Sequence, residues 1–419
     1  MAWCLVQLIK KQKLPIIMED AMRLAICLSS TVLICPLAHA QADVFDVFEE
    51  LQPVSNWVNS SNSSLNLDNC SDDSECGNSG CTTNQCGCRT APAPTMIGGS
   101  SLGVPFSFTD GDELHLLTNF YSRVSENNSA IPQNRISFVY KYLNDVPTAK
   151  DALFLDGAAP DYDSDLTHYE LGLEKTLFNG NMSVELLIPF AYVPESTIPN
   201  AVGLQGSDVE LQNIAFGLKA LLLSDDRKAI SAGVRVEAPT KEDFNFPGVT
   251  LTFPNEVWAV TPYLATLINL NDDLFFQAFA SYRLQTDDFT SSGVVSNFRE
   301  PNYFDLDAQL GYWLYRNTGG SGLTGLQAKT EIHYTGTFEA YGDNGGNAFP
   351  GALGETDQLN LTTGLTAIMN DRTTITAGIV LPVRDGSNIT RDGAVRPHPS
   401  DRFFDWQANL QVNYYFGNQ

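Results

Sequence analysis

The chain closes on FFDWQANLQVNYYFGNQ, residues 403–419. From Phe404 to Phe416 every second residue is apolar: Phe404, Trp406, Ala408, Leu410, Val412, Tyr414 and Phe416. Between them stand Asp405, Gln407, Asn409, Gln411, Asn413 and Tyr415. Successive side chains of a β-strand point to opposite faces, so this stretch reads as one strand with an apolar face and a polar face. It is about twice the length of an ordinary strand, roughly five or six residues.

The same alternation recurs upstream. In AISAGVRVEA, residues 229–238, Ile230, Ala232, Val234 and Val236 oppose Ser231, Gly233, Arg235 and Glu237. In YFDLDAQLGYWLY, residues 303–315, Phe304, Leu306, Ala308, Leu310 and Tyr312 oppose Asp305, Asp307, Gln309, Gly311 and Trp313. In GLQAKTEIHYTGTFE, residues 325–339, the polar row holds Gln327, Lys329, Glu331, His333 and Thr335. Twelve segments of this kind are expected, near 134–145, 166–177, 181–192, 209–223, 229–239, 257–270, 274–285, 303–315, 323–339, 357–369, 373–384 and 402–416.

Their connections alternate between tight turns (FNG, SDDRK, NDD, NTGGSG, NDR) and loops of about sixteen residues or more. Short turns at one end and long loops at the other are the pattern of a transmembrane β-barrel. An even strand number brings both ends of the sheet to the short-turn side. The expected fold is therefore all-β, a transmembrane antiparallel up-and-down barrel of about 12 strands. The stretch GVPFSFTDGDELHLLTNFYSRV, residues 103–124, is open to two readings: a hairpin, which would make 14 strands, or a plug-like loop with a helix.

Closure has a physical cause. In hydrocarbon an unpaired backbone N–H or C=O costs several kcal/mol, so a sheet spans a membrane only as a barrel without edges. A soluble sandwich or propeller also alternates, but its core has no room for the second face. Arg135, Lys141, Lys219, Arg235, Arg283 and Lys329 would share it with Glu170, Glu174, Glu185, Glu237, Asp305, Asp307, Glu331 and Asp405. A lumen accommodates such ions by pairing across strands. The apolar rows then meet lipid, with Tyr192, Trp258, Tyr282, Tyr312, Trp406 and Tyr414 as interfacial aromatics.

Residues 1–40 read as a signal peptide: an apolar run from Leu24 to Leu37 follows Arg23 and ends at Ala38-His39-Ala40. They carry four bases and two acids of a chain with 24 bases and 49 acids, so the exported part has 20 bases, 47 acids and a net charge of −27. That charge argues against a nucleic-acid partner. Residues 41–130 form an N-terminal segment. Val44, Val47, Phe48, Leu51 and Val58 fall at helical spacing, followed by a Ser/Asn-rich stretch with Cys70, Cys76, Cys81, Cys86 and Cys88. In an exported chain these cysteines read as disulfide candidates with one left over, ahead of a thiolate metal site, because CxxC pairs are missing. Residues 131–419 form the barrel.

The stretches SENNSAIPQNRISFVYKYLNDV, GLEKTLFNGNMSVELLIPFA, LKALLLSDDRKAISAGVRVEAPT and TTITAGIVLPVRDG resemble a family of outer-membrane barrel proteins of planctomycete-type bacteria. More distantly, the chain is similar to outer-membrane barrels named for phenol degradation or transport. The resemblance covers roughly residues 92–419 and implies a barrel in the outer membrane; it carries over no substrate and no catalytic residue, and no cofactor is expected.

Three functions compete. A passive channel or transporter for small cationic or neutral solutes would use Arg235, Glu237, Arg283, Asp305, Asp307, Lys329, Glu331 and His333 as lumen or constriction residues, unless they only pair to stabilise the wall. A structural or adhesive surface protein would act through its loops, where Asp161, Asp163 and Asp165 are weak Ca²⁺ candidates. An outer-membrane hydrolase would need a Ser beside an oriented His, and neither His168 nor His333 has a Ser two positions away on its strand face. The expected partners are outer-membrane lipids, a small solute and the barrel-assembly machinery, for which Tyr414 and Phe416 resemble a C-terminal signal.

Overall fold

The computed structural model describes residues 91–99, 120–144, 165–193, 208–242, 257–286, 302–317, 319–338, 357–384 and 404–416, with short pieces of the connections between them. The signal region, the helical-spaced stretch 44–58, all five candidate disulfide cysteines, Asp161 and Asp163 lie outside the described residues.

The strands are β1 Arg135–Asn144, β2 Leu166–Leu177, β3 Met182–Val193, β4 Ala215–Ser224, β5 Lys228–Glu237 and β6 Ala259–Asn269. They continue with β7 Leu274–Gln285, β8 Tyr303–Arg316, β9 Leu323–Thr337, β10 Asp357–Met369, β11 Thr373–Pro382 and β12 Trp406–Tyr415. Each pairs antiparallel with the next, and β12 pairs with β1 from Trp406–Asn144 to Tyr415–Arg135. The ring of twelve is closed, so every strand finds a partner on both sides.

Burial follows the alternation. Leu306 and Ile332 are 47% and 52% exposed on the outside, while Asp305, Asp307, Glu331 and His333 between them are at most 2% exposed. The polarity is that of a transmembrane barrel: apolar outward, charged inward. At the three-residue turn NDR, Asn370 and Asp371 both take left-handed backbone, φ 51° and 54°, and the Arg372 N–H closes the turn on the Met369 carbonyl at 3.1 Å.

The expected twelve strands are found, and two expectations are corrected. Among the described residues of 103–124, the hairpin Ser107–Asp110 with Glu113–Leu116 is not part of the barrel sheet, so the reading with fourteen strands falls away. The segment 209–223 is not one strand. Asp208–Leu211 pairs with the upper part of β3 and β4 with its lower part, leaving Gln212, Asn213 and Ile214 out of the ladder opposite Ile188 and Pro189. Pro189 has no N–H to offer, so the ladder breaks there. The Gln212 N–H donates to its carbonyl at 2.9 Å. Finally, the inside–outside alternation of β12 begins at Trp406. Before it, Phe404 is buried and Asp405 exposed, the reverse of the expected facing, because the chain has left the ladder there.

Candidate functional site: the barrel lumen and its plug

Residues 91–99 and 121–134 run through the interior, rising from the short-turn end to mid-barrel and returning from the loop end to β1. The turns at the start of this return limb are irregular. Some of its backbone bonds are local, such as Glu126 N–H to Arg123 carbonyl (3.1 Å), and others tie it to the rising limb: Asn127 N–H to Met96 carbonyl and Met96 N–H to Asn128 carbonyl, both 3.0 Å. Wall side chains hold both limbs.

At mid-barrel the Glu331 carboxylate accepts the N–H groups of Ile97 (2.7 Å) and Gly98 (2.8 Å), and Gln411 and Asn409 donate to the carbonyls of Ile97 (2.6 Å) and Gly98 (3.0 Å). Two successive N–H groups converging on one carboxylate form an anion nest. Gly98 makes it possible: its φ is +84°, and a Cβ there would lie 2.7 Å from the Glu126 Cγ. Gly378 on the wall leaves room for Ile97, since a Cβ would lie 2.9 Å from the Ile97 Cγ2. Lys329 Nζ donates to the Thr95 carbonyl at 2.7 Å.

The return limb is held by ions. Arg123 pairs with Asp307 (2.9 Å) and Asp305 (3.4 Å) and bonds Thr335. Glu126 pairs with Lys141 at 2.8 Å. Arg235 reaches Glu185 at 3.1 Å and donates to the carbonyls of Ser122 (3.2 Å) and Arg123 (3.1 Å). Near β1, Glu174 joins Arg135 (2.8 Å) and Lys219 (2.9 Å), while Arg135 also bonds the Asn127 carbonyl. Asn127 and Asn413 exchange amide bonds at 2.9 and 3.1 Å. Toward the loop end Arg283 pairs with Glu237 at 2.9 Å and lies 4.3 Å over the Tyr121 ring.

The short-turn end is packed differently. Met96, Val124 and Ala130 meet inward-facing Tyr263, Leu267, Phe275, Phe279, Trp313 and Ile368 in one apolar cluster. Here the lumen is a core, with dispersion contacts where the middle has ions.

All eight lumen candidates are buried on the inner face: Arg235, Glu237, Arg283, Asp305, Asp307, Lys329, Glu331 and His333. They divide into groups. Asp305, Asp307, Lys329, Glu331 and His333 meet the plug together at mid-barrel, Arg235 joins the plug from β5, and Arg283–Glu237 sits nearer the loops. The expected acidic bias of the lumen shrinks. Among the described residues, six wall bases (Arg135, Lys141, Lys219, Arg235, Arg283, Lys329) face seven wall acids (Glu170, Glu174, Glu185, Glu237, Asp305, Asp307, Glu331), Asp405 having turned outward. Asp165 receives Tyr142 Oη at 2.5 Å and Asn144 Nδ2 at 3.1 Å. Tyr414 is exposed on the outer face and Phe416 half-buried, its N–H bonded to the Asn134 carbonyl at 3.1 Å.

Sequence patterns miss the plug's own contribution: Arg123, Glu126, Asn127, Asn128 and the backbone of 95–98. The available signal is the polar run SENNS at 125–129, which breaks alternation directly before the first strand.

No protein-family model matches the chain, and no curated protein matches it. Solved structures do. An outer-membrane channel from Pseudomonas putida F1 is 17% identical over 68% of this chain and 96% of its own, with a TM-score of 0.43. The beta domain of the Bordetella autotransporter BrkA is 13% identical over 68% of this chain and 100% of its own, TM-score 0.41. The Pseudomonas putida toluene transporter TodX is 9% identical over 76% of this chain and 98% of its own, TM-score 0.38. These likenesses concern the fold alone, and no substrate or role passes with them.

Proposed function

We propose that the protein is an outer-membrane channel for small neutral or cationic solutes whose conductance is set by the segment folded into its lumen. The observation that carries this proposal is the ionic middle of the barrel. Paired ions buried in a protein are often no more stabilising than apolar residues of similar volume. A barrel that only needed filling could therefore be filled throughout as it is at the short-turn end. An ionic, hydrogen-bonded seat suits a segment that water can reach and that can loosen. In this arrangement lipid meets the apolar outer rows, the short turns face the periplasm, and the N-terminal segment enters from that side. Tyr414 and Phe416 are offered to the assembly machinery, and the eight lumen residues line or flank the constriction. The near balance of wall charge favours neutral solutes at least as much as cations.

The apolar cluster at the short-turn end favours a second reading, a structural outer-membrane barrel without transport. Planar-bilayer recordings separate the two. The full protein should give small ion-conducting steps, and removal of residues 92–133 should raise the step size several-fold. Silence from both proteins would leave the structural reading in its place.

A further inference from the structure

His333 lies between the two anchors of the plug. Asp307 on β8 faces it directly in register and also holds Arg123 of the return limb at 2.9 Å. Glu331, two residues earlier on its own strand β9, holds the N–H groups of Ile97 and Gly98 on the rising limb at 2.7 and 2.8 Å. The ring contacts both. Nδ1 is 2.8 Å from Asp307, and Nε2 is 3.1 Å from Glu331, an ion-pair contact without the alignment of a full hydrogen bond. The rising limb packs on the ring, for a Cβ at Gly99 would lie 3.0 Å from His333 Cδ2. On its other side, β10 opposes it with uncharged Asn360.

We infer that His333 is a proton-operated latch: its charged form ties the two limbs of the plug to the wall, and loss of its proton releases the limb at Ile97–Gly99. This deepens the channel proposal and rests on it only for physiological meaning.

A donor count supports the latch. An imidazolium has two N–H groups and can serve both carboxylates, whereas the neutral ring has one. The other ionic groups on these elements are Arg123, which binds Asp307 and Asp305, and Lys329, which donates to the Thr95 carbonyl. A neutral ring leaves one of the two buried carboxylates without its imidazole donor, which is costly until water reaches it. Water reaches it once the limb lying on the ring moves. The sign follows: the plug is held on the acidic side of His333 titration and loosened on the basic side.

The test uses the full protein in lipid nanodiscs. Deuterium exchange of the 92–100 segment is expressed as protection relative to an unstructured peptide at the same pH, over about pH 5 to about pH 9, which spans the ordinary histidine range. Protection should fall by about tenfold or more across the titration, and His333→Gln should remove the step. A flat profile in the native protein, or an unchanged step in His333→Gln, would overturn the latch. If the variant does not fold, NMR titration of the His333 ring decides. Coincidence of ring deprotonation with loss of protection supports the latch, and midpoints separated by more than about one pH unit sink it. Because exchange is read without conductance, a protein silent in bilayers would refute the channel and leave this result standing on its own.

Discussion

Arg283 and Glu237 show what a single lumen residue contributes. Their side chains are 3% and 6% exposed and 2.9 Å apart. With the arginine gone, Glu237 would keep its buried charge and lose its partner. Breaking a buried pair from one side costs about 3–5 kcal/mol, whereas replacing both partners by apolar groups is often close to neutral. Arg283→Met should therefore lower the urea-unfolding midpoint clearly, and Arg283→Met combined with Glu237→Leu should recover most of the loss. A double variant as unstable as the single one would show that the pair does not act as a unit. Arg235 is less suited to such a test: it donates to two plug carbonyls, whereas Arg283 meets the plug only through the Tyr121 ring among its described contacts.

At the scale of the element, β12 does the closing. It presents Gln407, Asn409, Gln411 and Asn413 to the lumen and pairs with β11 on one side and β1 on the other. Its removal would leave the facing edges of β1 and β11 unpaired in hydrocarbon, at several kcal/mol for each orphaned group. A chain ending at residue 403 should fail to insert and should lose the heat-dependent gel shift of a folded barrel; a shifted band from that chain in membranes would overturn the closure argument. Alternation in sequence located this strand well because its side chains carry the signal that lipid and lumen select. The same signal misplaced the break at Gln212–Ile214. The cause there lies across the ladder in Pro189, more than twenty residues away in the chain, and a local pattern does not register it.

At the scale of the whole molecule, wall and plug differ in what holds them. The wall is a closed antiparallel sheet, and the plug is attached to it by side chains. Deleting residues 92–133 should leave the gel shift of the folded barrel intact. It should also reduce resistance to urea, because Arg235, Lys141 and Glu331 would each lose buried partners. Loss of the gel shift would mean instead that the barrel needs its plug to fold.

The sequence by itself determined the barrel, the places of its twelve strands though not that 103–124 adds none, the facing of most residues in them and the ionic character of the inner row. Lipid outside and a polar interior impose a period of two that any reader of the chain can count. Only the tertiary structure decided that residues 91–99 and 121–134 fill the interior, that the short-turn end is an apolar core, and that His333 bridges two anchors of one plug. Those facts depend on which side chains meet across the lumen. Residues such as Ile97 and Glu331, 234 positions apart in the chain, become neighbours only when the ring closes.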